Sequence, residues 1–346
     1  MPSRLTAFGF AFAAALVGMH GADGADARTV AALSQTLAIE ESRSGAASPQ
    51  LLPLLGRLAG AQFDNGALGE ATDSRRRALK IALRAYGGQS PKTVGAMVDL
   101  GEIELLRHRY IDAEPLLVTA RSLLETRLGT DNPALIAPLA ALARIALARG
   151  DLQAAETEAN RAQTIALHHP TAQSSSEPLR VLGAIDAAQD RFDDGEKLLR
   201  EAVARDRRLH GADSLETARS LAQLANLLLR AQRFDQALAA IEQATAIDQE
   251  RLGKNHPLIA DDFADLGLIY AGLGRDDAAA DALGFAVDLL EQGAGEESTR
   301  LGYAELELAP VLRRLGQSKD AEAAFKHAKH ILDKAAKDER EHERQI

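Results

Sequence analysis

The chain has no cysteine and no tryptophan, and aromatic residues make up only 4% of its 346 positions. Without cysteine there is no disulfide, no thiolate nucleophile and no thiolate metal site. Cations are in deficit too: 40 Lys and Arg stand against 50 Asp and Glu, a formal net charge of −10. Binding a nucleic-acid backbone takes a basic stripe, and none occurs, so nucleic acid is excluded as a partner. The acidic balance serves solubility. Phosphate-cradling glycine loops, G-x-S-x-G and H-E-x-x-H are missing as well, so the sequence assigns no catalytic residue and no cofactor.

What the chain does have is Ala and Leu, the strongest helix formers, within a hydrophobic content of 46%. That composition predicts an all-α protein. The leucines are also periodic. From Leu58 the same position returns at Leu100, Leu142, Leu182, Leu224, Leu266 and Leu308, in steps of 42, 42, 40, 42, 42 and 42 residues. A period in this range marks a solenoid, in which each unit buries its apolar face by stacking on the next. One elongated domain is expected, with seven repeats over 48–335, a capping half-repeat over 28–47 and a charged tail, a frayed helix or disordered, over 336–346.

Each unit opens on a helix-start signal in register: Ser48-Pro49, Ser90-Pro91, Asn132-Pro133, Ser214-Leu215, His256-Pro257 and Ser298-Thr299. Ser or Asn at the N-cap accepts from a free backbone N–H, and Pro at the first helical position gives up a donor that had no partner. This first helix carries the Leu column and, directly after it, the small residues Ala59, Gly101, Ala143, Gly183, Ala225, Gly267 and Ala309. A turn follows at Gly66, Gly150, Gly274 and Gly316. The second helix begins near Leu68, Tyr110, Leu152, Phe192 and Phe234 and carries an unbroken alanine column, Ala78, Ala120, Ala162, Ala202, Ala244, Ala286 and Ala328. Three residues on stand Ile81, Leu123, Ile165, Ile247, Leu289 and Ile331, with Arg205 the exception. Ile39 lies one period before Ile81 and places the stretch from Arg28 to Ser42 as the second helix of an incomplete first unit.

Leu266 with Gly267 after it, Tyr270, Gly274 at the turn, and Ala279 and Ala286 beyond resemble the tetratricopeptide repeat (TPR). The 42-residue period and the boundary Leu252–Pro257, LGKNHP, are similar to its kinesin-light-chain subclass. The resemblance implies a right-handed α-solenoid of antiparallel helix pairs whose concave face, lined by the first helices, holds a protein or peptide. A non-catalytic scaffold is therefore the expected function, with a cell-envelope enzyme subunit or a self-associating structural protein as the alternatives. Kinesin-light-chain repeats carry an Asn pair just before the Leu. Here Arg57, Asp99, Ala141, Val181, Gln223, Asp265 and Glu307 stand directly before it, so the family's Asn ladder is not carried over.

By register the inward positions lie five and one residues before each Leu and two after it. They include Arg144, Glu177, Arg219, Gln223, Asn226, Asp261, Asp265 and Glu307, and Arg180, two residues before Leu182, is taken with them. Other stretches are read as ordinary structure. Asp190–Glu201 resembles a calcium loop, but its third position is Phe192, where an oxygen ligand is required. His168-His169 and His327/His330 lack further ligands at a fixed spacing, so no metal is assigned. The pair Asp261-Asp262 reads as the solvated face of a helix. His168–Pro178 reads as an irregular loop, and Pro310 is expected to bend its helix.

The N-terminus carries an address. Arg4 precedes an apolar run of 13 residues, Leu5–Val17, and small residues follow, the three-part pattern of a secretory signal peptide. The run is shorter than the roughly 20 residues that cross a bilayer. Residues 1–27 are therefore expected to be a signal peptide, cleaved after Gly24 or Ala27. An abundance of Ala and an excess of Arg over Lys suit a bacterial periplasmic or secreted product, with no stable membrane insertion after cleavage.

Overall fold

The computed structural model describes residues 27–169, 175–294 and 298–343. The expected signal peptide lies almost wholly outside the described residues. Among them there is no strand, and no helix is long and apolar enough to cross a membrane. Fifteen α-helices follow one another. They are α1 (Ala27–Ser44), α2 (Leu52–Asp64), α3 (Leu68–Tyr86), α4 (Pro91–Leu106), α5 (Tyr110–Leu128), α6 (Ile136–Ala148), α7 (Leu152–His168) and α8 (Glu177–Ala188). The series continues with α9 (Phe192–His210), α10 (Leu215–Arg230), α11 (Phe234–Leu252), α12 (Ala260–Gly272), α13 (Asp276–Ala294), α14 (Thr299–Arg314) and α15 (Ser318–Glu343).

The second helices of the pairs start at Leu68, Tyr110, Leu152, Phe192, Phe234, Asp276 and Ser318, which keeps the 42-residue step with one step of 40. Consecutive helices joined by short turns pack side by side, α1 to α7 in one series and α9 to α15 in another. The chain groups into two compact units, Met1–Ile185 and Asp186–Ile346, whose boundary falls inside α8.

Local signals act as the pattern requires. Ser48, Asn132 and Ser214 each accept a backbone N–H at the start of the first helix of their pair. His256, which holds the same helix-start position, does the same through Nδ1, taking the N–H of Leu258 at 3.2 Å. Between the two helices of each pair the backbone turns left-handed at Gly66, His108, Gly150, Asp190, Gln232, Gly274 and Gly316. Only four of these seven are glycine, the residue that takes this conformation without strain.

The alanine column is a packing surface: Ala120, Ala162, Ala202, Ala244, Ala286 and Ala328 are all 0% exposed. The small residue after each Leu is needed for contact. A Cβ on Gly267 would stand 2.6 Å from Leu283 Cγ, and one on Gly101 would stand 2.8 Å from Leu117 Cγ. Leu117, Leu199, Ile241 and Leu283, four residues beyond the second helix's first small residue, form a further buried column.

Pro310 lies inside α14, as its position in the repeat predicts, and sits at the surface; α5 likewise runs through Pro115. The charged tail remains helical as far as Glu343, the last residue of α15, in keeping with the good helix formers there. Two expectations are revised. Ile39 is 46% exposed although Ile81 is buried, and α1 docks on α2 through Leu33 and Leu37 instead. Within the stretch His168–Pro178, α8 already starts at Glu177, whose N–H is accepted by Ser175 Oγ at 3.1 Å.

Candidate functional site

The first helices of successive pairs touch one another as well as their partners. In the second unit α10 lies against α12 and α12 against α14, so their common face is continuous over three repeats. Asn226 of α10 donates to Asp265 of α12 through Nδ2 at 3.2 Å. Burial pushes the Asp265 carboxyl up to about 7, the Asn226 hydrogen bond opposes this, and the charges of Asp261 and Glu307 reinforce it. Glu307 of α14 is likewise pushed up to about 7, by burial first and by Asp261 second. Asp261 is paired with Arg300 of α14 at 2.7 Å, and Arg300 also donates to the carbonyl of Pro257 at 3.2 Å. The structure thus brings four of the residues singled out by register, Asn226, Asp261, Asp265 and Glu307, into one electrostatic group. Gln223 is exposed and Arg219 partly exposed on the same helix. On α14, Tyr303 is 56% exposed one turn before Glu307.

In the first unit the other three residues form their own group. Glu177 accepts from Arg180 Nε at 2.9 Å and lies 3.4 Å from Arg144 Nη1. Arg180 is 7% exposed, so its guanidinium is committed to this ion pair and not open to solvent.

Sequence reasoning missed a set of buried polar residues behind this face. Asp262, expected on a solvated helix face with Asp261, is only 6% exposed. It hydrogen-bonds with Asp248 of α11, and its Oδ2 accepts nothing further. Helix register is the reason: Asp261 and Asp262 lie about 100° apart round the helix, and the second turns toward the neighbouring pair. Both carboxyls are raised. Burial is the main cause for each; Asp248 adds to the reluctance of Asp262 to ionise, whereas the hydrogen bond from Asp262 opposes the shift at Asp248, so the pair retains a proton, on the Asp262 side, where a solvated carboxyl would not. Arg219 opposes the shift at Asp248 and Glu216 reinforces it, while Asp265 and Asp261 reinforce it at Asp262.

One repeat earlier the same two positions hold Asp206 and Ser220, joined at 2.5 Å, and one repeat later they hold Leu290 and Ala304. A charge in a column that is apolar in a neighbouring unit was the signal available in the sequence.

A raised folded-state pKa means that the folded state binds more protons than the unfolded one, so stability falls as pH rises through the window. For this pair the window opens near the ordinary 3.8 and extends beyond about 6. Asp262→Ser, which copies the Asp206–Ser220 arrangement, is expected to flatten the decline between pH 5 and 8 relative to the parent, by on the order of 2 kcal/mol. Melts at four pH values for both proteins would show it. Parallel profiles would mean that the pair does not titrate as described.

The calcium-like stretch folds as something else. Asp190 is the left-handed turn residue, Arg191 caps α9, and Phe192 to Glu201 are helical. His168 and His169 bind Asp131, at 2.9 Å to Oδ1 and 2.7 Å to its carbonyl respectively, and His327 binds Glu305 at 2.9 Å. Among the described residues no group of three or more His, Asp or Glu is placed to hold a metal.

Stacked antiparallel helix pairs with small-residue contacts, repeating every 42 residues, define a helical-repeat protein. The tetratricopeptide-repeat family model matches residues 93–167, 175–250 and 222–292, more than half of the chain, and the chain belongs to that family. No curated protein matches it by sequence. Among solved structures it is similar to a Rap protein complexed with competence and sporulation factor, at 13% identity over 88% of this chain and 81% of that one, with a TM-score of 0.66. A kinesin light chain with TPR-like repeats from Podosopora anserina matches at 18% identity over 70% of this chain and 97% of that one, with a TM-score of 0.32. BtubC from P. vanneervenii matches at 18% identity over 78% and 92%, with a TM-score of 0.40. At these identities the Rap likeness shows the fold alone.

Proposed function

We propose that the chain is a non-catalytic scaffold that binds a protein or peptide along the face formed by the first helices of its pairs, the face that the family resemblance places on the concave side. The observation that carries this reading is the division of labour between the two kinds of helix. The second helices spend their inner stripe on alanine packing. The first helices of the second unit, once packed, still present Arg219, Gln223, Asp261, Tyr303 and Glu307 at least partly to solvent on one continuous face. A charged and amide-rich helix face next to an exposed aromatic is suited to a polypeptide and to no cofactor of fixed shape. The Rap neighbour was solved in complex with competence and sporulation factor, which agrees with a partner-binding reading without extending to the partner's identity. The signal-like N-terminus supports placing the partner in the bacterial envelope or outside the cell.

Site-specific photo-crosslinking tests it. A photoreactive residue at exposed Gln223 is expected to capture one protein or peptide in the native host, while the same residue at exposed Glu242 on α11 captures none. Equal capture at both positions, or at neither, would remove the first-helix face from the reading. Fractionation and intact mass of the same preparation test export: a cytoplasmic protein retaining Met1 or Pro2 would overturn it.

A further inference from the structure

We propose that Asp265 and Glu307, with the ring of Tyr303 beside them, form a subsite for one cationic side chain, Arg or Lys, of the polypeptide that lies on α10, α12 and α14. This rests on the peptide-binding reading above and adds the chemistry of the partner.

The argument is one of unbalanced charge. Three carboxylates, Asp261, Asp265 and Glu307, face each other across α12 and α14, and one cation of the chain, Arg300, is paired among them. Arg300 is 4% exposed and held by both Asp261 and the carbonyl of Pro257, so its charge is committed to the α12 side of the contact. Asp265 has an amide, Asn226, as its hydrogen-bond donor. Glu307 has neither a hydrogen bond nor a cation partner among the described residues, yet it is largely desolvated.

Desolvating a carboxylate without a counter-ion is costly, and the cost is recovered when a cation enters. The second observation is Tyr303. Its register position is that of Asp261 one unit on, it is 56% exposed, and it precedes Glu307 by four residues on the same helix face. An exposed aromatic ring one helical turn from Glu307 suits the flat guanidinium or the alkyl stem of a long cationic side chain. An anionic partner would meet like charge at every one of these positions.

The test uses the full chain and two fluorescent heptapeptide pools, degenerate at six positions and carrying either Arg or its neutral isostere citrulline at the centre. The parent is expected to bind the Arg pool about tenfold more tightly than the citrulline pool at pH 8, the ratio that roughly one charge-assisted hydrogen bond supplies. Because the two carboxyls titrate near 7, the ratio should shrink at pH 6, where they are largely protonated. Asp265→Asn/Glu307→Gln is expected to bind both pools equally while melting at or above the parent temperature. Equal binding of both pools to the parent overturns the subsite and leaves the peptide face standing. Binding of neither pool also overturns it, and the crosslink from Gln223 then decides separately whether that face has a partner.

Discussion

Ala286→Glu is expected to cost the second unit roughly 4 kcal/mol or more, the range of the most damaging single substitutions. Ala286 is 0% exposed on α13, packed in one cluster with Leu289 and Leu290 of its own helix, Leu301 and Ala304 of α14, and Ile331 of α15. A methyl group there touches helices on two sides. A glutamate would have to place a carboxylate among them with no donor in reach, or force α13 away from its neighbours. For a unit of this size the loss corresponds to a fall in melting temperature of about 10 °C or more. Asp288→Ala, two residues on and solvent-exposed, serves as the control and should move stability by less than about 0.5 kcal/mol. Thermal melts of the two variants decide the matter. If Ala286→Glu melts within a degree or two of the parent, the alanine column is not the contact surface described.

That column could be read from the sequence because packing in a repeat protein imposes the same volume limit in every unit. Ala120, Ala162, Ala202, Ala244, Ala286 and Ala328 solve one steric problem six times, so the repetition itself is the signal. The turns were legible only where glycine marks them. His108, Asp190 and Gln232 adopt the same left-handed backbone as Gly66 and Gly150, because the flanking helices fix the turn whatever residue occupies it. Register carried the candidate face as far as naming Asn226, Asp265 and Glu307, but it could not reveal which of those charges find partners. Arg180 shows the limit. It was placed on the face with Glu177, but its position could not show that Glu177 holds it 7% exposed.

Least legible were the polar residues inside apolar columns, since each breaks the repetition from which the columns were inferred. Asp248 stands where Leu290 stands one unit later, and Arg75 where Leu117 does. Such exceptions come in complementary pairs across neighbouring helices, as physical chemistry requires of buried charge. A search for paired exceptions at fixed offsets would have found them.

Arg75→Leu is expected to destabilise the first unit by about 3–5 kcal/mol near neutral pH, because it leaves a buried carboxylate without its cation. Arg75 of α3 is 5% exposed and donates from Nη1 to Asp99 Oδ2 of α4 at 2.7 Å, with Asp99 itself 4% exposed. Burial pushes the Asp99 carboxyl up to about 6 even though Arg75 opposes the shift. Without the arginine its pKa should rise further, so the variant's deficit should be smaller at pH 5, where Asp99 is protonated in the folded state, than at pH 8. The repeat supplies its own rescue. One unit later the equivalent positions are Leu117 of α5 and Ala141 of α6, which pack in a single apolar cluster. The double variant Arg75→Leu/Asp99→Ala copies that arrangement and should recover most of the loss, since a well-packed apolar pair commonly equals or exceeds a buried ion pair in stability. Chemical denaturation of the parent, both single variants and the double variant at pH 5 and pH 8 measures the coupling directly. A double variant no more stable than Arg75→Leu alone would show that the ion pair does more for this unit than fill a column its neighbour fills with Leu and Ala.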